Sequence, residues 1–513
     1  MTQSWKISAD KNLTTRSIKG RVSRDMTSQG KSLKLAALGL ASAAAMLGLT
    51  SCLVGPDYEK HEMSVPAAFR GAPSMDTSIA SLPWWDVIKD PDLTSLLLDT
   101  FRNNHSLKAT LANVDSARQT ITVTQAPIFP WLAYGGSVSK GANQSGGSTI
   151  MNSGGMTTAP GSLAASASWE LDIWGRTRRS VESAEADYLS AEQELRSLQL
   201  SLLRQVATGY LQLLMLDEQL RIQKACVESY RQSLEYYEYR LQYEVSNILA
   251  VQSSRAALAA AQAQVPALET QIVQLENTLS VLAGRVPGHI RRRGNLTDYA
   301  GSSEVPTGIP ADILAHRPDV LAAEQKIRSA NAKVGVAIAD YFPTITLTAA
   351  GGMASADLMT SVRKGTGWGM GASLSGPLFR AGSLRASEKI ARNNLVAAVA
   401  DYEDTVLTAL SEVSSTLVQR IKLRSIMQKQ EEAVVSYRSY LDACLERVKT
   451  GYSDYYEVLT AQQNLFPAEQ KLAEYRYQYA ACIPTLYAQL GGGWQQSSEE
   501  IRAGKSAQSN QAQ

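Results

Sequence analysis

The chemistry this chain can do is concentrated at Leu49-Thr50-Ser51-Cys52, where an apolar run ends in two small residues and a cysteine. Cleavage just before Cys52 would free an amine and a thiol for acyl chains, each buried methylene contributing ~0.8 kcal/mol of membrane affinity. Lys31 and Lys34 precede the run Leu35 to Leu49, which has the length of a signal-peptide core. That run is shorter than the ~20 apolar residues a spanning helix needs. The pattern is that of a bacterial lipoprotein signal; the alternative is an ordinary signal peptide with a chance cysteine. Residues 1–25 are unlike a leader, and translation from Met26 would leave a compact signal.

The other reactive side chains do not assemble into a site. Cys226, Cys444 and Cys482 are scattered without metal spacing. They are odd in number once Cys52 is used, so even in a compartment that permits disulfides they read as small buried apolar residues. The run His316-Arg317-Pro318-Asp319 reads as a helix start, with Pro318 at the first helical position and Asp319 on the dipole. Arg291-Arg292-Arg293 reads as a solvated loop. The net charge of +2 offers no bulk field for nucleic acid. With no nucleophile–base pair, metal cluster or phosphate loop, the chain reads as neither an enzyme nor a cofactor protein.

The scaffold behind these residues is duplicated. Residues 175–284 match 382–491 at a constant shift of 207, pairing Gly175 with Gly382, Ser229-Tyr230-Arg231 with Ser436-Tyr437-Arg438, and Gly284 with Gly491. Phe129-Pro130 and Phe342-Pro343 match at a slightly different shift. Such a repeat sets the architecture before any local reading. Each copy reads as helix, strand pair, long helix, turn, long helix. Leu195, Leu198, Leu202, Val206, Tyr210 and Leu213 make an apolar stripe at helical spacing, as do Tyr402, Val406, Leu410, Val413, Leu417 and Ile421. A helix of ~60 residues reaches roughly 90 Å, a rod that coiled-coil packing requires and a globular core does not. The turns fall near 244–247 and 451–454.

Four strand candidates flank the helices: 131–139, 162–169 continuing to Ile173, 345–349 and 368–375. Gly/Ser/Thr-rich loops, 141–160 and 352–366, lie within each pair. Small polar and apolar positions alternate, with aromatics at the ends, which is the signature of membrane β-strands. Lipid admits only helices and closed barrels, and four strands cannot close when the smallest barrels have ~8. Shared barrels of eight, twelve or sixteen strands satisfy the constraint. A non-channel structural or adhesive envelope lipoprotein with coiled coils is the competing reading.

Six motifs in order resemble those of the outer membrane factors, the TolC-like efflux channels, in their acylated OprM/NodT-type branch. The first two are Cys52-Leu53-Val54-Gly55-Pro56-Asp57-Tyr58 with Val65-Pro66-Ala67-Ala68-Phe69, and Trp84-Trp85-Asp86 with Asp90-Pro91-Asp92-Leu93. Next come Trp169-Glu170-Leu171-Asp172-Ile173-Trp174-Gly175-Arg176, and Arg317-Pro318-Asp319 with Ala330-Asn331-Ala332 and Phe342-Pro343. The last are Gly376-Pro377-Leu378-Phe379-Arg380 leading to Arg385, and Leu490-Gly491-Gly492-Gly493-Trp494. The resemblance spans nearly everything from Cys52 to Trp494. By resemblance to bacterial lipoproteins, Leu53 in place of Asp is compatible with export to the outer membrane.

The resemblance implies a mainly α protein with a membrane β-barrel. Each protomer of a homotrimer would give four strands to a twelve-stranded barrel and helices to a long periplasmic α-barrel. It implies the exit duct of a tripartite efflux pump passing drugs or other small molecules. The partners would be a periplasmic adaptor (membrane fusion) protein and an inner-membrane pump, commonly of the RND class. Acylated Cys52 would sit in outer-membrane lipid. The divisions would be a signal peptide (1–51), an anchored and equatorial segment (52–103), two repeats (104–310 and 311–494) and a polar tail (495–513).

The run Arg447 to Leu459 resembles the family's periplasmic coiled-coil tip. There Gly451 supplies a tight helix turn, and Ser453 or Asp454 can cap the next helix. The family's entrance acids fall on Glu457 and Thr460, so the second acid is absent here. Glu457 reads either as one member of a pore ring favouring cations or as part of a solvated face. In copy one, Glu244 replaces the glycine and Ser246 matches Ser453, so that turn is expected to be built differently.

Overall fold

The computed structural model describes residues 53–61, 63–66, 68–69, 90–138, 161–243, 247–300, 316–355, 366–450, 452 and 455–492. All belong to one contact unit, Leu53–Gln513. The helices are α1 (Pro91–Asn103), α2 (His105–Gln125), α3 (Arg176–Gln242), α4 (Ile248–Leu282), α5 (Leu296–Ala300), α6 (Pro318–Ala339), α7 (Ser383–Lys449) and α8 (Tyr455–Gln489). The strands are β1 (Trp131–Val138), β2 (Gly161–Leu171), β3 (Thr344–Ser355) and β4 (Thr366–Ser375).

The duplication is carried through to the last residue of each rod. Helices α3 and α7 each have 67 residues, and α4 and α8 each have 35, with every boundary offset by the same 207 positions. At ~1.5 Å per residue the longer rods extend about 100 Å. Both begin after a glycine in the left-handed region, Gly175 at φ 78° and Gly382 at φ 84°. Both shorter rods end before another, Gly284 at φ 64° and Gly491 at φ 85°. A Cβ at Gly284 would stand 2.4 Å from the Asn103 carbonyl oxygen, so glycine is required there for space as well as conformation.

The apolar stripe of α3 faces inward as its spacing predicts: Leu195, Leu202, Val206, Tyr210 and Leu213 are buried in the core. In α7, Tyr402, Val406, Val413 and Leu417 are buried, but Ile421 is exposed, and Arg420 and Leu423 take the inward positions. A fixed three–four spacing drifts around so long a helix, which moves the buried face off the expected residue.

The start of α1 is tied by Asp90. One carboxylate oxygen caps the helix, accepting the Asp92 and Leu93 N–H groups at 2.7 and 3.1 Å. The other accepts from Tyr210 at 3.1 Å and from Tyr299. The basic run departs from a solvated loop at its centre. Arg292 is nearly buried, bonded to Asp217 at 2.9 Å and to Glu276, whereas Arg291 and Arg293 are exposed. Spacing along a loop cannot show which of three arginines meets acids on the packed helices. Burial opposes the charge of Glu276, but Arg292 and the Ile290 N–H outweigh it and hold the carboxyl below its ordinary value.

The run at 316–319 is a helix start. Pro318 opens α6, and Arg317 bonds Asp319 at 2.9 Å, Glu412 at 2.6 Å and the Gln489 carbonyl at 3.2 Å. Cys226, Cys444 and Cys482 are buried and free. Burial pushes the Cys226 and Cys482 thiols up to about 11.

Candidate channel wall and entrance

The four strands form one antiparallel sheet in the order β1-β2-β3-β4, so the two copies join at β2–β3 and, among the described residues, the outer edges of β1 and β4 are open. Strand β3 is longer than the sequence shows. Its Gly-rich end, read as loop from 352, continues through Ser355 because β2 pairs with it as far as Gly161. Gly352 permits that approach, since a Cβ there would lie 2.6 Å from the Leu163 carbonyl oxygen.

Register sorts the side chains, because opposed residues share a face. The ladder sets Leu163 against Met353, Ala167 against Ala349, Trp169 against Leu347 and Leu171 against Ile345. On the same face Ile345 meets Leu374, Ala349 meets Met370, Gly351 meets Trp368, and Tyr134 meets Ala165. The opposite face carries Ser166, Ser168, Glu170, Thr344, Thr346, Thr348, Ser373 and Ser375, with Gly367, Gly369 and Gly371. Trp131 is its large apolar exception, at the end of the ladder. Tyr134, Trp368 and Met370 stand open on the apolar face. One face suits hydrocarbon and the other water, the division expected of a barrel wall.

Where β2 passes into α3, Asp172 accepts the Thr177 and Arg178 N–H groups, each at 3.0 Å, and so caps the rod from upstream. Trp174 donates to the Pro343 carbonyl at 2.7 Å and stacks on Phe342 with centroids 4.7 Å apart. Two motifs from different repeats therefore meet. Their counterparts do not meet within the chain: Phe129, Leu378 and Phe379 are all exposed.

The segment from Leu53 is held against this junction. Val54 donates its N–H to the Trp174 carbonyl at 3.3 Å, and Gly55 crosses Gly335 so closely that a Cβ on Gly55 would lie 2.5 Å from the Gly335 Cα. Arg179, with a side chain 2% exposed, donates to the Val54 and Gly55 carbonyls and to Asp57 and Glu182. Farther along, Tyr58 bonds Glu324 at 3.2 Å, and Phe69 is buried in the main core that also takes in Leu93 and Leu96. Sequence reasoning did not single out Asp172 or Arg179 for a role. Their place in the Trp169–Arg176 motif and its flank was the available signal.

At the far end of the rods, α3 and α8 are fastened together. Ser233 meets Tyr455 at 3.1 Å, Gln462 donates to Ser229 at 2.7 Å, and Tyr236 stacks on Tyr455 at 4.5 Å. The Tyr452 N–H donates to the Arg447 carbonyl at 2.9 Å, closing the end of α7 in a Schellman pattern. Asn247 caps α4 through the Leu249 N–H at 3.1 Å. Glu457 is half-buried with Arg447 3.9 Å away, and Thr460 donates to the Tyr456 carbonyl at 3.0 Å. Cys52, Glu244, Ser246, Gly451, Ser453 and Asp454 lie outside the described residues. So do the leader, the Trp84-Trp85-Asp86 motif, the 141–160 loop and the 495–513 tail. Among the described residues no group of acids, histidines and cysteines could hold a metal, and no helix is long and apolar enough to cross a membrane.

A half-apolar sheet with open edges, carried on paired rods, defines the wall of an envelope channel. The chain belongs to the outer membrane efflux protein family, whose model matches residues 96–285 and 309–492. It is the outer-membrane exit duct of an efflux system. It is 32% identical over 465 residues to the probable efflux pump outer membrane protein TtgC of Pseudomonas putida, covering 89% of this chain and 95% of that one. It is 30% identical to the cation efflux system protein CusC of Escherichia coli, covering 88% and 97%. Among solved structures, the outer-membrane channel OprN aligns with a TM-score of 0.77 at 28% identity, over 87% of this chain and 100% of that one.

Proposed function

We propose that three copies of this chain close one twelve-stranded barrel and pass small molecules, drugs among them, from the periplasm to the exterior. A periplasmic adaptor and an inner-membrane pump of the RND class would load the duct. The observation that carries this reading is the sheet itself: one apolar face, one polar face, and two unpaired edges that lipid does not tolerate. The exposed counterparts of the Trp174–Phe342 contact support it. Phe129 of the next chain would cover the Leu378–Phe379 segment of one chain, much as Phe342 covers Trp174 within a chain, although Ala381 stands in the Trp174 position of the second copy. Cys52, one residue before the held Leu53, would anchor each chain in lipid at the barrel's base. Exposed Tyr243, Leu249, Tyr452 and Tyr456 at the hairpin ends would offer the adaptor an apolar, largely aromatic landing surface.

The internal repeat sets the seam's register. Carrying the β2–β3 pairing of Leu171 with Ile345 across by the repeat shifts brings Leu378 beside Leu132 of the next chain. Leu132→Cys with Leu378→Cys in one chain should form interchain disulfides, giving covalent trimers in denaturing gels. Either substitution alone should give none. A double variant that stays monomeric after oxidation, in a preparation that light scattering shows to be monomer, would sink the shared barrel.

A further inference from the structure

Glu170 is the one Asp, Glu, Lys or Arg in the four strands. Its neighbours Trp169 and Leu171 pair with Leu347 and Ile345 on the apolar face, so Glu170, opposite Thr346, stands on the polar one. A slip of one residue would place its carboxylate among the aromatic and aliphatic side chains, which fixes the direction in which it points. It is exposed, and among the described residues its side chain makes no hydrogen bond or ion pair. The adjoining charges are committed elsewhere. Asp172 caps α3 and bonds Arg178. Arg176 senses the Glu170 charge but is bonded to Asp340 at 2.6 Å. Glu170 lies one residue from the end of β2 on the side leading into α3, hence at the periplasmic mouth of the barrel. The second repeat has Pro377 in the matching position, so each chain contributes one such carboxylate.

We propose that Glu170 sets the charge preference of the pore where the barrel meets the helical duct, favouring cationic solutes over anionic ones. This rests on the shared barrel proposed above. Glu457, the acid singled out at the entrance, has Arg447 3.9 Å away to offset its charge, whereas the arginine that senses Glu170 is neutralised by Asp340. Twelve strands ~4.8 Å apart and tilted ~40° close at a backbone radius of about 12 Å, so three Glu170 carboxylates lie no farther than that from the axis. With Debye lengths of ~10 Å at ~0.1 M salt and ~30 Å at ~0.01 M, they bias the axial cation-to-anion ratio roughly threefold and roughly tenfold.

The test is reversal potential across a potassium chloride gradient in planar bilayers, at both ionic strengths. The parent should prefer cations, more so at low salt. Glu170→Gln should lose roughly threefold of that preference at ~0.1 M and roughly tenfold at ~0.01 M, and Glu170→Lys should invert it. Glu170→Cys allows the same test on one folded channel, since the other described cysteines are buried. A sulfonate-bearing methanethiosulfonate should restore the preference, and a trimethylammonium-bearing one should reverse it. A parent that conducts nothing removes the barrel and the role together. A conducting parent whose Glu170→Gln variant keeps its reversal potential at low salt removes the role and leaves the barrel standing.

Discussion

Replacing Arg179 by Met removes the grip on the segment that follows Cys52 while nearly conserving side-chain length. The guanidinium donates to the Val54 and Gly55 carbonyls, each at 3.3 Å, and to Asp57 and Glu182 at 2.8 and 2.7 Å. The two acids are not buried with it. Asp57 is 87% exposed and Glu182 38%, so each regains water when the cation is gone. Each pair is then worth a surface value of ~0–1 kcal/mol, and not the ~3–5 kcal/mol of a fully buried pair. The two long carbonyl bonds contribute about 1 kcal/mol apiece at most. The segment should therefore loosen by about 2 kcal/mol, which speeds exchange through local opening roughly 30-fold. Hydrogen exchange followed at the Val54 amide, bonded to the Trp174 carbonyl at 3.3 Å, is the assay. Amides around Leu203 and Val206, deep in the main core, should not change. Arg179→Lys, which keeps the charge but not the planar fork, should fall between parent and Met. Unchanged exchange at Val54 would refute the reasoning. Equal loss of protection throughout α3 would also refute it, because Arg179 would then support the rod and not the segment.

Two further outcomes are expected. Mass spectrometry of the mature chain should find an acylated N-terminus at Cys52, and Cys52→Ser should block normal processing; an unmodified chain beginning elsewhere would remove the lipid anchor but not the channel. Glu457→Gln should weaken block by multivalent cations with little change in trimer stability and lower cation preference by less than Glu170→Gln does, because Arg447 3.9 Å away offsets its charge, and Glu457→Lys should lower the preference further without inverting it. If both Glu457 variants keep the parent's reversal potential, Glu457 lies on the outer face of the tip, where it becomes a candidate for adaptor contact.

The sequence alone determined the repeat, the long rods and the strand pairs, because each rests on local periodicity that survives without knowledge of the fold. Helical spacing from Leu195 to Leu213 and the ungapped 207-residue offset are of this kind, and the rods match them end for end. The resemblance in six short motifs supplied the family. What it could not supply was pairing between distant segments. The meeting of Trp174 with Phe342, the crossing of Gly55 and Gly335, and the burial of Arg292 between Asp217 and Glu276 each join residues far apart in the chain. The length of β3 depended on β2 lying beside it, and the shift of the buried face past Leu417 depended on the accumulated twist of a 67-residue helix. Charged residues such as Arg179 and Arg317 look alike in sequence whether solvated or enclosed. Only the tertiary structure decided that these two are buried, because the carbonyls and carboxylates that compensate their lost hydration come from segments that folding alone brings near.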